Sequence, residues 1–259
     1  RFHPSVVEVE DNAFEGTTRL SKVVFNEGLQ KIGWSAFRYC PSLTSITFPS
    51  TVSAIGGDAF RDCFWLEKVV LNQGLQKIGN CAFLGCSSLS TIIIPSTVTE
   101  IDSKVFHSCN SLRMVVFNEG LQKIGNRSFY GCKSLPSITL PSTVTDIGSR
   151  AFNGCRFRSD LREVRLLGLP RKISVKAFCK CTSLETFLFP TITNRVDVAN
   201  QKYSDHWGGI EDGDYGRSGS LGIRGGVMSV SFRRMRGGRL WNAVRRDLVS
   251  SLELYPSTN

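Results

Sequence analysis

The chain has 259 residues, 41% of them hydrophobic, with 32 Lys and Arg against 22 Asp and Glu for a net charge of +10. That composition supports a packed core in one or two domains. No run of sixteen apolar residues occurs, which excludes a transmembrane helix. Nine cysteines, seven of them at one repeat position, argue for buried free thiols over a disulfide framework and mildly favour a reducing, intracellular compartment. The chain starts at Arg1 with no basic, then apolar, leader in view, so either a leader has been removed or the chain is a fragment.

From Val6 to Phe152 the sequence repeats without a gap every 23 residues. A phenylalanine column runs Phe14, Phe37, Phe60, Phe83, Phe106, Phe129, Phe152 and Phe178. Three residues after each Phe comes Thr17, then Cys40, Cys63, Cys86, Cys109, Cys132, Cys155 and Cys181. Five residues before it stands Val9 or an isoleucine (Ile32, Ile55, Ile78, Ile101, Ile124, Ile147, Ile173), and a leucine column runs from Leu20 to Leu184. Self-similarity at this period marks a solenoid in which each unit buries its apolar face against its neighbours.

One unit shows the expected elements. Ile92 and Ile94 alternate with Ile93 in a short strand that ends at Pro95, since a column accepting proline needs no amide hydrogen. Leu75 and Ile78 point inward from a second short extended piece. The glycine column Gly33, Gly56, Gly79, Gly125 and Gly148, with Asp102 as its acidic substitute, reads as a positive-φ corner. Ala82, Cys86 and Leu89 then fall at the spacing of a single helical turn. Alanine at 36, 59, 82, 151 and 177 marks a crowded spot. A 46-residue alternation overlies the period, with Asn26, Asn72 and Asn118 against Pro49, Pro95 and Pro141, and predicts two corner types. One outward column, running Glu8, Lys31, Ala54, Lys77, Glu100, Lys123, Asp146 and Lys172, predicts an alternating charge ladder on a solvated stripe.

The rhythm breaks at 156–160, where three extra residues stretch one repeat to 26. A last copy follows at 169–191. Residues 208–226 are glycine-rich and read as lacking fixed structure; Val227–Phe232 reads as one more strand, and Leu240 to Leu252 as an amphipathic helix. The division is therefore 1–191 for the solenoid and 192–259 for a divergent C-terminal segment, either a cap on the open end of the stack or a disordered tail.

The joint A-F-x-x-C and I-x-I-P signatures at one fixed period resemble the BspA-type leucine-rich repeat, over residues 6–191. The resemblance implies a curved, right-handed horseshoe with a parallel sheet on its concave face and a shorter sheet behind. Combined with the helical turns read above, the expected class is an α/β-type repeat solenoid. The resemblance also implies a surface adhesion or protein-binding module and carries over no catalytic residue.

Outward strand positions line the expected concave face: Ser45, Thr47, Lys68, Val70, Thr91, Ile93, Met114, Val116, Ser137, Thr139, Glu163, Arg165, Thr186 and Leu188. Val70, Ile93, Met114 and Val116 form an apolar middle, which marks either a protein-binding patch or simply residues that suit strands. No catalytic, metal or cofactor site is expected. His3 and His206 sit in the irregular ends, and His107 occupies a variable, exposed-looking position. Neither a nucleophile elbow nor a metalloprotease motif is present, and Cys179-Lys180-Cys181 is too close-spaced for a zinc pair. Basic charge concentrates late in the chain. Residues 150–180 carry nine Lys and Arg, and 217–246 carry eight Arg without an acid. Arg224, Arg233, Arg234, Arg236, Arg239, Arg245 and Arg246, with their two R-G-G triplets, make polyanion or RNA binding the alternative to a monomeric, non-enzymatic protein-binding scaffold.

Overall fold

The computed structural model describes residues 1–154, 160–174 and 176–190 in full, and the backbone of 220–224 and 227–231. The repeats stack as a β-solenoid of about eight turns. Eight two-residue strands form one parallel sheet: β1 Glu8–Val9, β2 Lys31–Ile32, β4 Ala54–Ile55, β6 Lys77–Ile78, β8 Glu100–Ile101, β10 Lys123–Ile124, β12 Asp146–Ile147 and β14 Lys172–Ile173. Longer strands build the opposite side of each turn. β3 Ser45–Thr47, β5 Lys68–Val70, β7 Thr91–Ile94 and β9 Met114–Phe117 form one parallel sheet, and β11 Ser137–Leu140, β13 Glu163–Leu166 and β15 Thr186–Pro190 begin another.

Proline explains why the long-strand side divides between β9 and β11. In the earlier turns the residue before the strand donates its N–H to the turn below, Glu67 to the Thr44 carbonyl at 2.9 Å and Arg113 to Ser90 at 2.8 Å. Pro136 holds this position in the next turn and has no N–H to give. Its carbonyl still accepts from Arg162 at 2.8 Å, so the ladder resumes on the far side.

Between the sheets lies the core. Leu75, Ile78, Ala82, Phe83, Cys86, Leu89, Ile92 and Ile94 of one turn are all buried. The phenylalanine column stacks ring on ring from Phe14 to Phe178, with centroids 5.1–5.6 Å apart. Thiols of the cysteine column donate to a phenylalanine carbonyl of the preceding turn: Cys63 Sγ to Phe37 O at 3.1 Å, Cys86 Sγ to Phe60 O at 3.2 Å. No two described cysteines are joined by a disulfide. The stacking thus satisfies the apolar side chains, the thiols and a carbonyl that strand ladders leave over.

Two local expectations are corrected. Among the described residues there is no helix, so the helical turns do not form and the class is β-solenoid. The segment around each Phe is a run of tight turns because its alternate amides are committed between turns. Ser35, Phe37 and Tyr39 donate to the carbonyls of Gly57, Ala59 and Arg61 at 2.7–2.9 Å, leaving no i−4 helical ladder. Residues at this ladder alternate into the left-handed region, at Ser35 (φ 52°), Tyr39 (55°), Asp58 (53°), Asp62 (59°), Lys104 (58°) and Arg127 (56°).

The glycine column, by contrast, has ordinary φ. Its requirement is proximity: a Cβ on Gly56 would lie 2.6 Å from the Gly33 backbone, and one on Gly79 2.6 Å from the Gly57 nitrogen. Positive φ falls two residues later, on side chains that are not glycine.

The corner types do differ. Asn72 Nδ2 donates to the Val52 carbonyl at 2.9 Å while its Oδ1 receives the Gly74 amide at 2.6 Å; the alternate corners use Thr51 Oγ1 to the Leu29 carbonyl at 2.6 Å. At the C-terminal end, β17 Val227–Ser231 pairs antiparallel with β15, and β16 Ser220–Arg224 pairs with β17. The last part of the glycine-rich stretch is therefore a strand, and the added pair covers the edge of β15. The expected helix at 240–252 lies outside the described residues.

Candidate binding face

Parallel register fixes the outward face of the long strands. Ser45 pairs with Lys68, Thr47 with Val70, Lys68 with Thr91, Thr91 with Met114 and Ile93 with Val116; on the later sheet Ser137 pairs with Glu163 and Thr139 with Arg165. Residues two apart in a strand share a face, so all these side chains stand on one side. Ile93 is 52% exposed, Met114 50% and Val70 38%. Lys68, Thr47, Thr139 and Arg165 are exposed, while Thr91 and Val116 are half-buried. Polar residues thus bracket the apolar strip at both ends, Ser45, Thr47 and Lys68 before it and Ser137, Thr139 and Arg165 after it. Arg165 leans on Glu163, Nη2 to Oε1 3.6 Å.

On the opposite, short-strand sheet the charged column stands in register as expected, Lys31 opposite Glu8 and Lys123 opposite both Glu100 and Asp146. Only Lys31–Glu8 closes, at 2.6 Å; Lys77, Glu100, Lys123 and Asp146 make no ion pair among the described residues. Long side chains at a solvated surface gain too little from pairing to be held in one geometry.

His107 is half-buried, not exposed. Its ring stacks on Tyr130 with centroids 4.7 Å apart, and Nδ1 lies 2.8 Å from Ser108 Oγ. Burial lowers its pKa, and the nearby cations Lys104 and Arg127 push in the same direction. No cluster of His, Cys, Asp or Glu among the described residues is arranged to hold a metal ion. A cavity lined by Phe129, Cys132, Leu135, Phe152 and Leu161 holds about 10 Å³, room for about one water molecule. Of the basic C-terminal candidates, Arg224 lies on β16, and Arg233, Arg234, Arg236, Arg239, Arg245 and Arg246 lie outside the described residues.

Reading by column missed one group. Trp65 is 62% exposed, and the adjacent Phe64 meets Tyr39 edge-to-face at 6.0 Å; Trp34 is exposed as well. The signal was in the variable columns: Trp65 stands where Ser42, Ser88, Ser111 and Ser134 stand in other turns.

Comparison with known proteins agrees with this architecture. The BspA type leucine rich repeat region matches residues 1–113 and 99–200 in six copies. A leucine-rich repeat protein of T. pallidum is 33% identical, with a TM-score of 0.54, over 69% of this chain and 72% of that one. A leucine-rich repeat protein from Bacteroides ovatus is 27% identical, with a TM-score of 0.61, over 71% of this chain; the match spans about half (47%) of that protein. No curated protein matches the chain. Repeats of this kind point in general to a protein-binding or scaffold role and are typically non-enzymatic. The chain belongs to the BspA type leucine-rich repeat family.

Proposed function

We propose that the chain is a non-enzymatic binding module that holds a protein partner on the outward face of its long strands, the concave face of a right-handed horseshoe. One observation carries the reading: Val70, Ile93 and Met114 stand exposed and adjacent on a sheet whose other described outward positions are mostly polar. Apolar strips rimmed by polar side chains mark protein interfaces, and the rim of Thr47, Lys68, Thr139 and Arg165 supplies hydrogen bonds and charge for specificity. In the same reading residues 1–191 form the binding solenoid, and 192–259 serve to close its C-terminal end.

Ile93→Glu with Val116→Glu is the test. The double variant should lose a partner captured by the wild-type chain, while Lys77→Glu with Lys123→Glu on the short-strand sheet should keep it. Retained capture by the first variant, or loss confined to the second, contradicts the assignment. All four substitutions fall on outward strand positions, away from the stacked core, and circular dichroism separates lost binding from lost folding.

A further inference from the structure

A second surface is built on the tight-turn side. The position two residues before each phenylalanine of the column carries Asn12, Ser35, Asp58 and Cys81 in the first four turns. In the next four it carries Lys104, Arg127, Arg150 and Lys176, one cation per turn. Backbone bonds between turns hold them in register: the Lys104 amide donates to the Asn126 carbonyl at 2.9 Å, the Arg127 amide to Ser149 at 2.9 Å, and the Phe152 amide to Ala177 at 2.9 Å across the longer repeat. At a turn spacing of about 4.8 Å the four residues stand in a row about 15 Å long.

Among the described residues no ion pair neutralises this row. In the earlier turns Asp58 receives Arg61 at 3.2 Å, yet none of the four later cations makes an ion pair among the described residues. Arg127 and Lys176 are exposed, and Lys104 and Arg150 are half-buried. Like charges on adjacent turns repel. Lys104, Arg127 and Arg150 also sit at φ 56–58°, a region unfavourable for long side chains. The repulsion is offset when an anionic chain lies along the row, whereas the left-handed φ belongs to the turn itself, since Ser35, Asp58 and Cys81 adopt it too.

We propose that Lys104, Arg127, Arg150 and Lys176 bind an anionic polysaccharide laid along the solenoid axis, its sulfate or carboxylate groups meeting successive turns. The flanking column, Ser103, Asn126 and Ser149, offers hydroxyl and amide groups to sugar hydroxyls. Single-stranded nucleic acid is disfavoured because its binding draws on base stacking, and the aromatic ring beside the row, Tyr130, already stacks on His107.

The test uses the full chain with three probes at matched charge: heparin for sulfate, polygalacturonate for carboxylate, and oligothymidylate for phosphate. Binding is measured by titration calorimetry between 50 and 200 mM salt. Four released counterions predict a fall in affinity of about 50- to 150-fold over that interval. Lys104→Asn, Arg127→Asn and Arg150→Asn together should flatten the logarithmic salt slope by about two to three units. Asparagine is native at this position in the first turn, so the triple variant should fold, as circular dichroism would verify. Replacing Arg233, Arg234, Arg236 and Arg239 with Asn should leave glycan binding unchanged. The proposal is overturned if neither glycan binds, if oligothymidylate binds more tightly than both, or if binding follows the tail arginines and ignores the row.

Discussion

Ionising a thiol inside the phenylalanine stack should unfold it, and the size of the effect follows from the structure. Cys63 and Cys181 are buried, and burial pushes each pKa from 9.0 up to about 12. The neutral thiol is therefore favoured in the folded state, and its stabilising contribution is fully present below the unfolded pKa. It is lost as pH rises from about 9 towards about 12, because the unfolded chain sheds protons that the folded chain retains. Each pKa unit is worth about 1.4 kcal/mol, so Cys63 alone should remove about 1.4 kcal/mol between pH 8 and pH 10. The assay is urea unfolding at both pH values for wild type and Cys63→Ala. Subtracting the two removes the titration of Lys and Tyr elsewhere, and the variant should lose about 1.4 kcal/mol less over the interval. Equal pH dependence in the two proteins, or rapid alkylation of Cys63 by iodoacetamide in the folded state at pH 8, would refute the reasoning.

Other outcomes follow from individual positions. Phe83→Ala removes a fully buried ring stacked on Phe60 and Phe106, and should destabilise by about 3–5 kcal/mol in a urea titration. Gly79→Ala and Arg127→Asn should have opposite signs. The first forces a Cβ to within 2.6 Å of the turn below and should cost about 1–3 kcal/mol, while the second relieves a left-handed arginine and should gain up to about 1 kcal/mol. Differential scanning calorimetry on the pair separates these signs. Trp65→Ser restores the residue of neighbouring turns at an exposed site, so stability should stay within about 0.5 kcal/mol; a larger loss by calorimetry would show that the indole is packed.

The core was legible because its rule is repetition. Phe, Cys, Ile and Leu recur at one period, and any residue that must stack on its own copy leaves that trace. Strand ends were legible for the same reason, since Pro95 shares a column with Asn72 and Asn118. The turn segment was not. Ala82, Cys86 and Leu89 fit a helical spacing, yet alternate amides of that segment, those of Cys81, Phe83 and Gly85, bond to the next turn, a commitment that no single repeat displays. Gly56 and Gly79 were read as corners for the same reason: a close approach between turns and a positive φ both select glycine, and only coordinates tell them apart. The proposed binding surfaces lie in the columns that vary. Ile93 and Met114 could be placed on the outer face by alternation. The run Lys104, Arg127, Arg150, Lys176 and the exposed Trp65 needed the columns to be compared for charge and size as well as hydrophobicity.

The binding assignment rests on which sheet meets the partner, and amide hydrogen exchange on the captured complex measures this directly. Protection on binding should appear at Lys68–Val70, Thr91–Ile94 and Met114–Phe117 and leave Lys77–Ile78, Glu100–Ile101 and Lys123–Ile124 unchanged. Protection confined to the short strands would contradict it.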